Sequence, residues 1–157
     1  MTDAAAPDVT AGQLHAPSRC ERLDAPDEED EVMADTKVAT PSLEGFLDAF
    51  NAHDVDAVMS FFTDDCVLDM PRGPAPGGRR LTGRKEVRAG IQSRFDGIPD
   101  IHYGDDRHWT CGDRGVSEWT IRGTQATGEH IEVRGCDLLE FSDGKISRKD
   151  SFWKIVD

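Results

Sequence analysis

Between residues 41 and 95 the apolar positions recur at helical spacing, and from residue 100 onward they fall into strand-like runs separated by turn signals. Leu43, Phe46, Leu47 and Phe50 share one helical face, which predicts a helix over roughly 41–52 with Thr40 as N-cap and Pro41 at the first helical position. Asn51-Ala52-His53-Asp54 breaks that helix. Asp54 is placed to cap a second one, whose Val55, Val58, Met59 and Phe62 follow an i, i+3, i+4, i+7 pattern. Neither helix is long enough to persist alone, so the two are expected to share one core. Cys66–Met70 reads as a strand stopped by Pro71, and residues 71–83, rich in Gly, Pro and Arg, read as a long loop rimming a site. A third helix is expected over about 83–95, with Val87, Ile91 and Phe95 on one side and Gly90 weakening it by about 1 kcal/mol relative to alanine.

Gly112-Asp113-Arg114-Gly115, Ala126-Thr127-Gly128-Glu129 and Ser142-Asp143-Gly144 punctuate the remainder. They predict an antiparallel meander of four strands near 101–111, 116–125, 130–141 and 145–156. Three N-terminal helices followed by a curved, mostly antiparallel sheet make an α+β fold.

Charge divides the chain. Its formal net charge is -13, yet residues 1–32 alone hold nine acids against Arg19 and Arg22. The first 38 residues, acidic and poor in large apolar side chains, are expected to form a disordered tail, with one domain over 39–157. Met33 is an alternative start of translation, and a solvated tail is the other reading. The acid excess argues against nucleic acid or an anionic membrane as partner. No stretch has the apolar length of a membrane span or a signal core. Cys20, Cys66, Cys111 and Cys136 show no zinc-ligand spacing, which suggests a reduced cytoplasmic protein with neither disulfides nor a metal or cofactor. Cys66, Cys111 and Cys136 fall in predicted strands and are expected to be small buried hydrophobes.

One residue breaks the apolar pattern. Alternation puts Asp137 on the same strand face as Val133, Gly135, Leu139 and Phe141, whereas Glu132, Arg134, Cys136, Leu138 and Glu140 take the opposite face. A carboxylate on an apolar face is costly unless it is paired or used. Desolvation would raise its pKa and make it a poised acid. A structural carboxylate, paired to a buried arginine or capping an amide, is the equal alternative. Trp119 and Trp153 are candidate pocket wall. No Ser-His-Asp array, phosphate loop or dinucleotide fingerprint is visible.

The order of elements, with Asn51-Ala52-His53-Asp54, Trp119…Gly123-Thr124-Gln125, Arg134-Gly135-Cys136-Asp137…Phe141 and Asp143-Gly144-Lys145-Ile146, resembles the SnoaL-like polyketide cyclase branch of the nuclear transport factor two-like superfamily. The resemblance spans about 42–156. It implies a cone-shaped roll with a central hydrophobic pocket, and a homodimer formed through the outer face of the sheet. It also implies a catalytic acid at Asp137, which in the family's isomerases stays protonated and donates to a developing enolate. The isomerase tyrosine of helix one falls at Phe46, its basic aspartate at Met70 beside Asp69, and the cyclase histidine at Gln125. The implied activity is a cofactor-independent cyclase, isomerase or hydrolase-type lyase acting on a small hydrophobic carbonyl compound. In it Asp137 is acid/base or enolate donor, Gln125 orients the substrate, and Trp119, Trp153, Phe46 and Met70 form the wall. The same scaffold also serves as a non-catalytic small-molecule-binding or dimerisation module.

Overall fold

Ser42 opens the first helix by accepting the Gly45 N–H on its hydroxyl at 3.1 Å. The structure is a computed structural model that describes residues 40–156, so the acidic tail expected for residues 1–38 lies outside the described residues. Helix α1 spans Leu43–Asn51 and buries Leu43, Phe46, Leu47, Ala49 and Phe50. The cap is therefore Ser42 and not Thr40, with Pro41 ahead of the helix. Asp54 caps α2 (Val55–Ser60) as its position predicts, accepting the Ala57 N–H at 2.9 Å.

The link between the helices has a second task. Asn51 donates to the Tyr103 carbonyl at 2.9 Å and accepts the Tyr103 N–H at 2.7 Å. His53, with a φ of 54°, sets its Nε2 2.7 Å from the Ile101 carbonyl. These bonds tie the α1–α2 turn to the first meander strand and fix where Tyr103 stands.

Six strands follow: β1 (Phe62–Ala75), β2 (Gly78–Thr82), β3 (His102–Cys111), β4 (Arg114–Thr124), β5 (His130–Ser142) and β6 (Lys145–Trp153), with α3 (Gly83–Gly97) between β2 and β3. They form one sheet in the order β2-β1-β6-β5-β4-β3, antiparallel throughout except where β1 runs parallel to β6. The four-strand meander is as expected, and the fold is the α+β arrangement of three helices on a curved, mostly antiparallel sheet.

The 71–83 segment is not a loop. β1 runs through Pro71 and turns back as β2. Proline is tolerated because β1 pairs with β6 only as far as Asp69, and its register with β2 slips between Met70 and Ala75. Gly90 also earns a different account from its helix propensity: a Cβ there would stand 2.3 Å from the Leu81 Cδ1, so the glycine lets α3 lie against this hairpin.

The core lies between helices and sheet, with Phe46, Val58, Met59, Phe62, Ile121 and Ile146 at its centre. Among the cysteines expected to be buried, Cys66 is, Cys136 is half-buried and faces outward, and Cys111 at the end of β3 is exposed. Among the described residues no helix is long and apolar enough to cross a membrane.

Candidate functional site

Alternation along β5 turns Val133, Asp137, Leu139 and Phe141 into the core, and Asp137 is 1% exposed. Its neighbours arrive from both flanking strands. Ser117 of β4 and Ser151 of β6 stand opposite it in register, and Lys149 lies opposite Leu139 on the same inner face. The Lys149 ammonium donates to Asp137 Oδ1 at 2.6 Å, and the Ser151 hydroxyl to the same oxygen at 2.8 Å. The Trp119 indole N–H donates to Oδ2 at 2.8 Å. Lys149 also donates to Ser151 Oγ at 2.7 Å, which closes a three-membered polar cluster.

Gly135 makes the tryptophan contact possible. A Cβ there would lie 2.6 Å from the Trp119 ring and 2.4 Å from the Phe152 carbonyl, so only a bare backbone lets the indole lie across β5. Asp137 is paired, and its partner is a lysine where the sequence suggested an arginine. Its two oxygens together accept from the Lys149 ammonium, the Ser151 hydroxyl and the Trp119 indole.

Lys149 is the least expected member. Burial pushes its ammonium below the ordinary lysine range, opposed by the adjacent Asp137 charge and assisted by the Arg94 charge. Together with Phe50, Met70, Arg94, Tyr103 and Ser151 it lines an internal cavity. That cavity measures about 10 Å³, room for a single water. Asp137 is not in its lining; it stands behind Lys149 and Ser151. Met70 and Gly90 line both this cavity and an outer groove of about 280 Å³ bounded by Arg79, Leu81 and Glu86, so they form the partition between the two.

Arg94 reaches the cavity from α3. Its guanidinium lies 4.6 Å from the centre of the Trp153 ring and donates weakly, at 3.4 Å, to the Tyr103 hydroxyl. Burial raises the pKa of that hydroxyl. Among the described residues no carboxylate lies within ion-pair distance of Arg94.

The expected wall is only partly assembled. Met70 lines the cavity, Trp119 holds Asp137, and Trp153 stacks on Arg94. Phe46 is instead packed edge-on against Phe50, Phe61 and Phe62 in the core, and Phe50, one turn later, takes the cavity position. Gln125 is remote. It sits in the β4–β5 turn, bonded to Glu129, eight residues beyond the Ser117 that faces Asp137, or roughly 25 Å of strand. It does not orient a ligand at this cavity. Lys149, Ser151, Arg94 and Tyr103 are the residues that reading the sequence missed.

The outer face carries a second opening, of about 480 Å³, lined by Trp109, Val116, Glu118, Cys136 and Phe152 among others. Trp109, Leu138 and Phe152 are largely exposed there.

Residues 43–149 match the SnoaL-like domain. Among solved structures, the chain is similar to a candidate polyketide cyclase from Xanthomonas campestris pv. campestris, at 23% identity over 71% of this chain and 87% of that one, with a TM-score of 0.64. A nuclear transport factor two-like protein of unknown function from Mesorhizobium loti gives 26% identity over 72% and 88%, with a TM-score of 0.60. A protein with a ketosteroid isomerase-like fold from Catenulispora acidiphila, solved with trimethylamine, gives 18% identity over 74% and 88%, with a TM-score of 0.63. A search among curated proteins finds no significant match.

Proposed function

Since this chain belongs to the SnoaL-like domain family, we propose that it is a cofactor-independent enzyme of cyclase or isomerase type, acting on a small hydrophobic carbonyl compound. The observation that supports this is the buried Lys149–Asp137–Ser151 cluster at the wall of a cavity. A buried ion pair is a poor source of stability, since apolar residues of equal volume often do as well or better. Its placement beside a cavity is what gives it a chemical use.

In this reading the carbonyl oxygen of the substrate meets the Lys149 ammonium and the Ser151 hydroxyl, which oppose the negative charge that develops as an enolate forms. Fixed donors in a dry site are worth far more than donors in water. Asp137 holds the ammonium in place and serves as the base that receives a proton through it, a contribution of roughly 10²- to 10⁴-fold. The role expected of Asp137 thus moves one group back from the substrate, and Lys149 takes the front position. Met70, the flexible member of the partition, is the residue that must move to admit a ligand. The polyketide cyclase name of one structural neighbour agrees with this class, but 23% identity carries the fold alone.

The test is deuterium wash-in at carbon next to the carbonyl for a panel of small ketones and 1,3-dicarbonyls, followed by proton NMR. Wild type is expected to exchange at least one member faster than buffer, and Asp137→Asn to lose that exchange. No exchange across the panel by the wild type removes the enzymatic reading.

A second reading, a non-catalytic binding or dimerisation module, is favoured by two observations. The inner cavity is only about 10 Å³, and the outer opening is far larger, with exposed Trp109, Leu138 and Phe152 around it. A homodimer through that face would cover an apolar patch that single soluble chains seldom leave bare. Light scattering across a dilution series separates the dimer from the monomer.

A further inference from the structure

We infer that Lys149 captures the carbonyl carbon of a small carboxylate-bearing aldehyde or ketone as an imine, with Arg94 holding the carboxylate. The inference rests on the carbonyl reading above and adds to it a covalent step and a substrate class.

Three observations carry it. First, among the described residues Lys149 is the buried lysine, whereas Lys85, Lys145 and Lys154 are exposed. Its Nζ is fixed by Asp137 at 2.6 Å and Ser151 at 2.7 Å, beside the Phe50 ring at 5.9 Å, on the cavity wall. Second, Arg94 lines that same cavity with no carboxylate partner among the described residues. Elsewhere in the domain the buried carboxylate Asp69 has two arginines, so a half-buried guanidinium without an anion is the exception. A planar fork of donors with an aromatic ring behind it suits a ligand carboxylate. Third, the cluster already holds a proton acceptor in contact with the amine.

The step balances within the cluster. The ammonium passes a proton to Asp137 Oδ1, and the freed amine attacks the carbonyl carbon. A C–N bond forms, and the C=O π pair moves to oxygen, which takes a proton from the attacking nitrogen. Asp137 then returns its proton to the carbinolamine hydroxyl. The C–O bond breaks, water leaves, and the nitrogen lone pair closes the iminium. At the end Asp137 is again a carboxylate facing a cation, so no buried charge is left unpaired at either end of the step. Burial, by favouring the neutral amine, supports the same chemistry. The charged and titratable groups acting on Lys149 are Asp137 from β5, Arg94 from α3 and Asp150 from β6, with Tyr103 of β3 across the cavity.

The experiment is reductive trapping of the full chain with glyoxylate and cyanoborohydride near neutral pH, followed by peptide mass mapping. The expected result is a carboxymethyl adduct on Lys149 in severalfold excess over each exposed lysine, because burial favours its neutral amine and Asp137 adjoins it as proton acceptor. Arg94→Ala should lower glyoxylate labelling of Lys149 severalfold relative to acetaldehyde labelling of the same residue. Met70→Ala, which widens the partition, should speed both. Adducts on the exposed lysines alone, in wild type and in Met70→Ala, overturn the proposal. If ketone exchange persists in that case, only the covalent step is lost; if exchange is absent as well, the carbonyl reading goes with it.

Discussion

Asp69 and Asp137 are both buried carboxylates, held by consecutive residues of β6, the strand between their own. Arg148 turns outward and donates to Asp69 at 2.7 Å, while Lys149 turns inward and donates to Asp137 at 2.6 Å. Arg80 completes the Asp69 site with two parallel bonds, at 2.7 and 2.9 Å, and remains open to solvent. The outer pair therefore uses cations that never lose their charge and keep part of their hydration. The inner pair uses a cation whose charge depends on its surroundings and which is buried. One pairing behaves as a clamp. The other stores an amine, a hydroxyl and a carboxylate at a cavity wall, where chemistry needs them.

The comparison breaks hardest on removal of the inner carboxylate. Asp137→Ala leaves the Lys149 ammonium buried without a counter-charge, and a loss of about 3–5 kcal/mol is expected in urea unfolding. Replacing both partners, as Asp137→Leu with Lys149→Met, should recover most of that loss, because nothing charged then remains inside. Equal losses in the single and double variants would mean that packing, and not charge, holds the site.

Much of this was open to reading, and the failures have physical causes. The β5 alternation put Asp137 on the inner face correctly, since no bulge interrupts its pairing with β4. Lys149 was hidden by the next strand. Phe141 pairs with Ile146 and Glu140 with Arg148, so Ser147 is an extra residue in β6. Counting by twos from the apolar Ile146 would turn Arg148, Asp150 and Phe152 inward; the bulge turns Lys149, Ser151 and Trp153 inward instead. β1 was cut short because Pro71 normally ends a strand, and sequence alone does not show that β6 has already left that edge. Gln125 was placed in the site by analogy with the family's turn, although the strand length beyond Ser117 carries it away.

Gly135→Ala sharpens the inner half by a smaller step. The new methyl meets the Trp119 ring and the Phe152 carbonyl, so about 1–3 kcal/mol of overpacking strain is expected. Displacement of the indole would also withdraw its bond to Asp137, visible as a change in tryptophan fluorescence. Unchanged stability would mean that β5 and β6 can part there without cost.

Asp69→Asn probes the outer clamp, with an expected loss of about 1–2 kcal/mol near pH 7, because Arg80 and Arg148 can turn to water. The sign of the pH effect follows from the arginines. Their hydrogen bonds, Arg80 first, hold the Asp69 carboxyl below the usual carboxylate range. Its contribution is then complete above the unfolded aspartate value and fades as pH falls through the lower folded one. Stability curves of wild type and Asp69→Asn should therefore converge in acid. Parallel curves down to the acid limit would remove Asp69 from the origin of that pH dependence.

The smallest effect on the folded chain is expected at Leu138, next to Asp137 in sequence but on the opposite face. Leu138→Ser deletes an exposed apolar side chain, and a change within about 0.5 kcal/mol is expected for a chain whose outer face is bare. If that face is shared between two copies, the same substitution weakens the dimer instead. The melting temperature of the wild type then rises with protein concentration, and that of the variant rises less steeply. Concentration-independent melting of both would leave the outer leucine bathed in water, and would place the consequential half of this sheet wholly on its inner side.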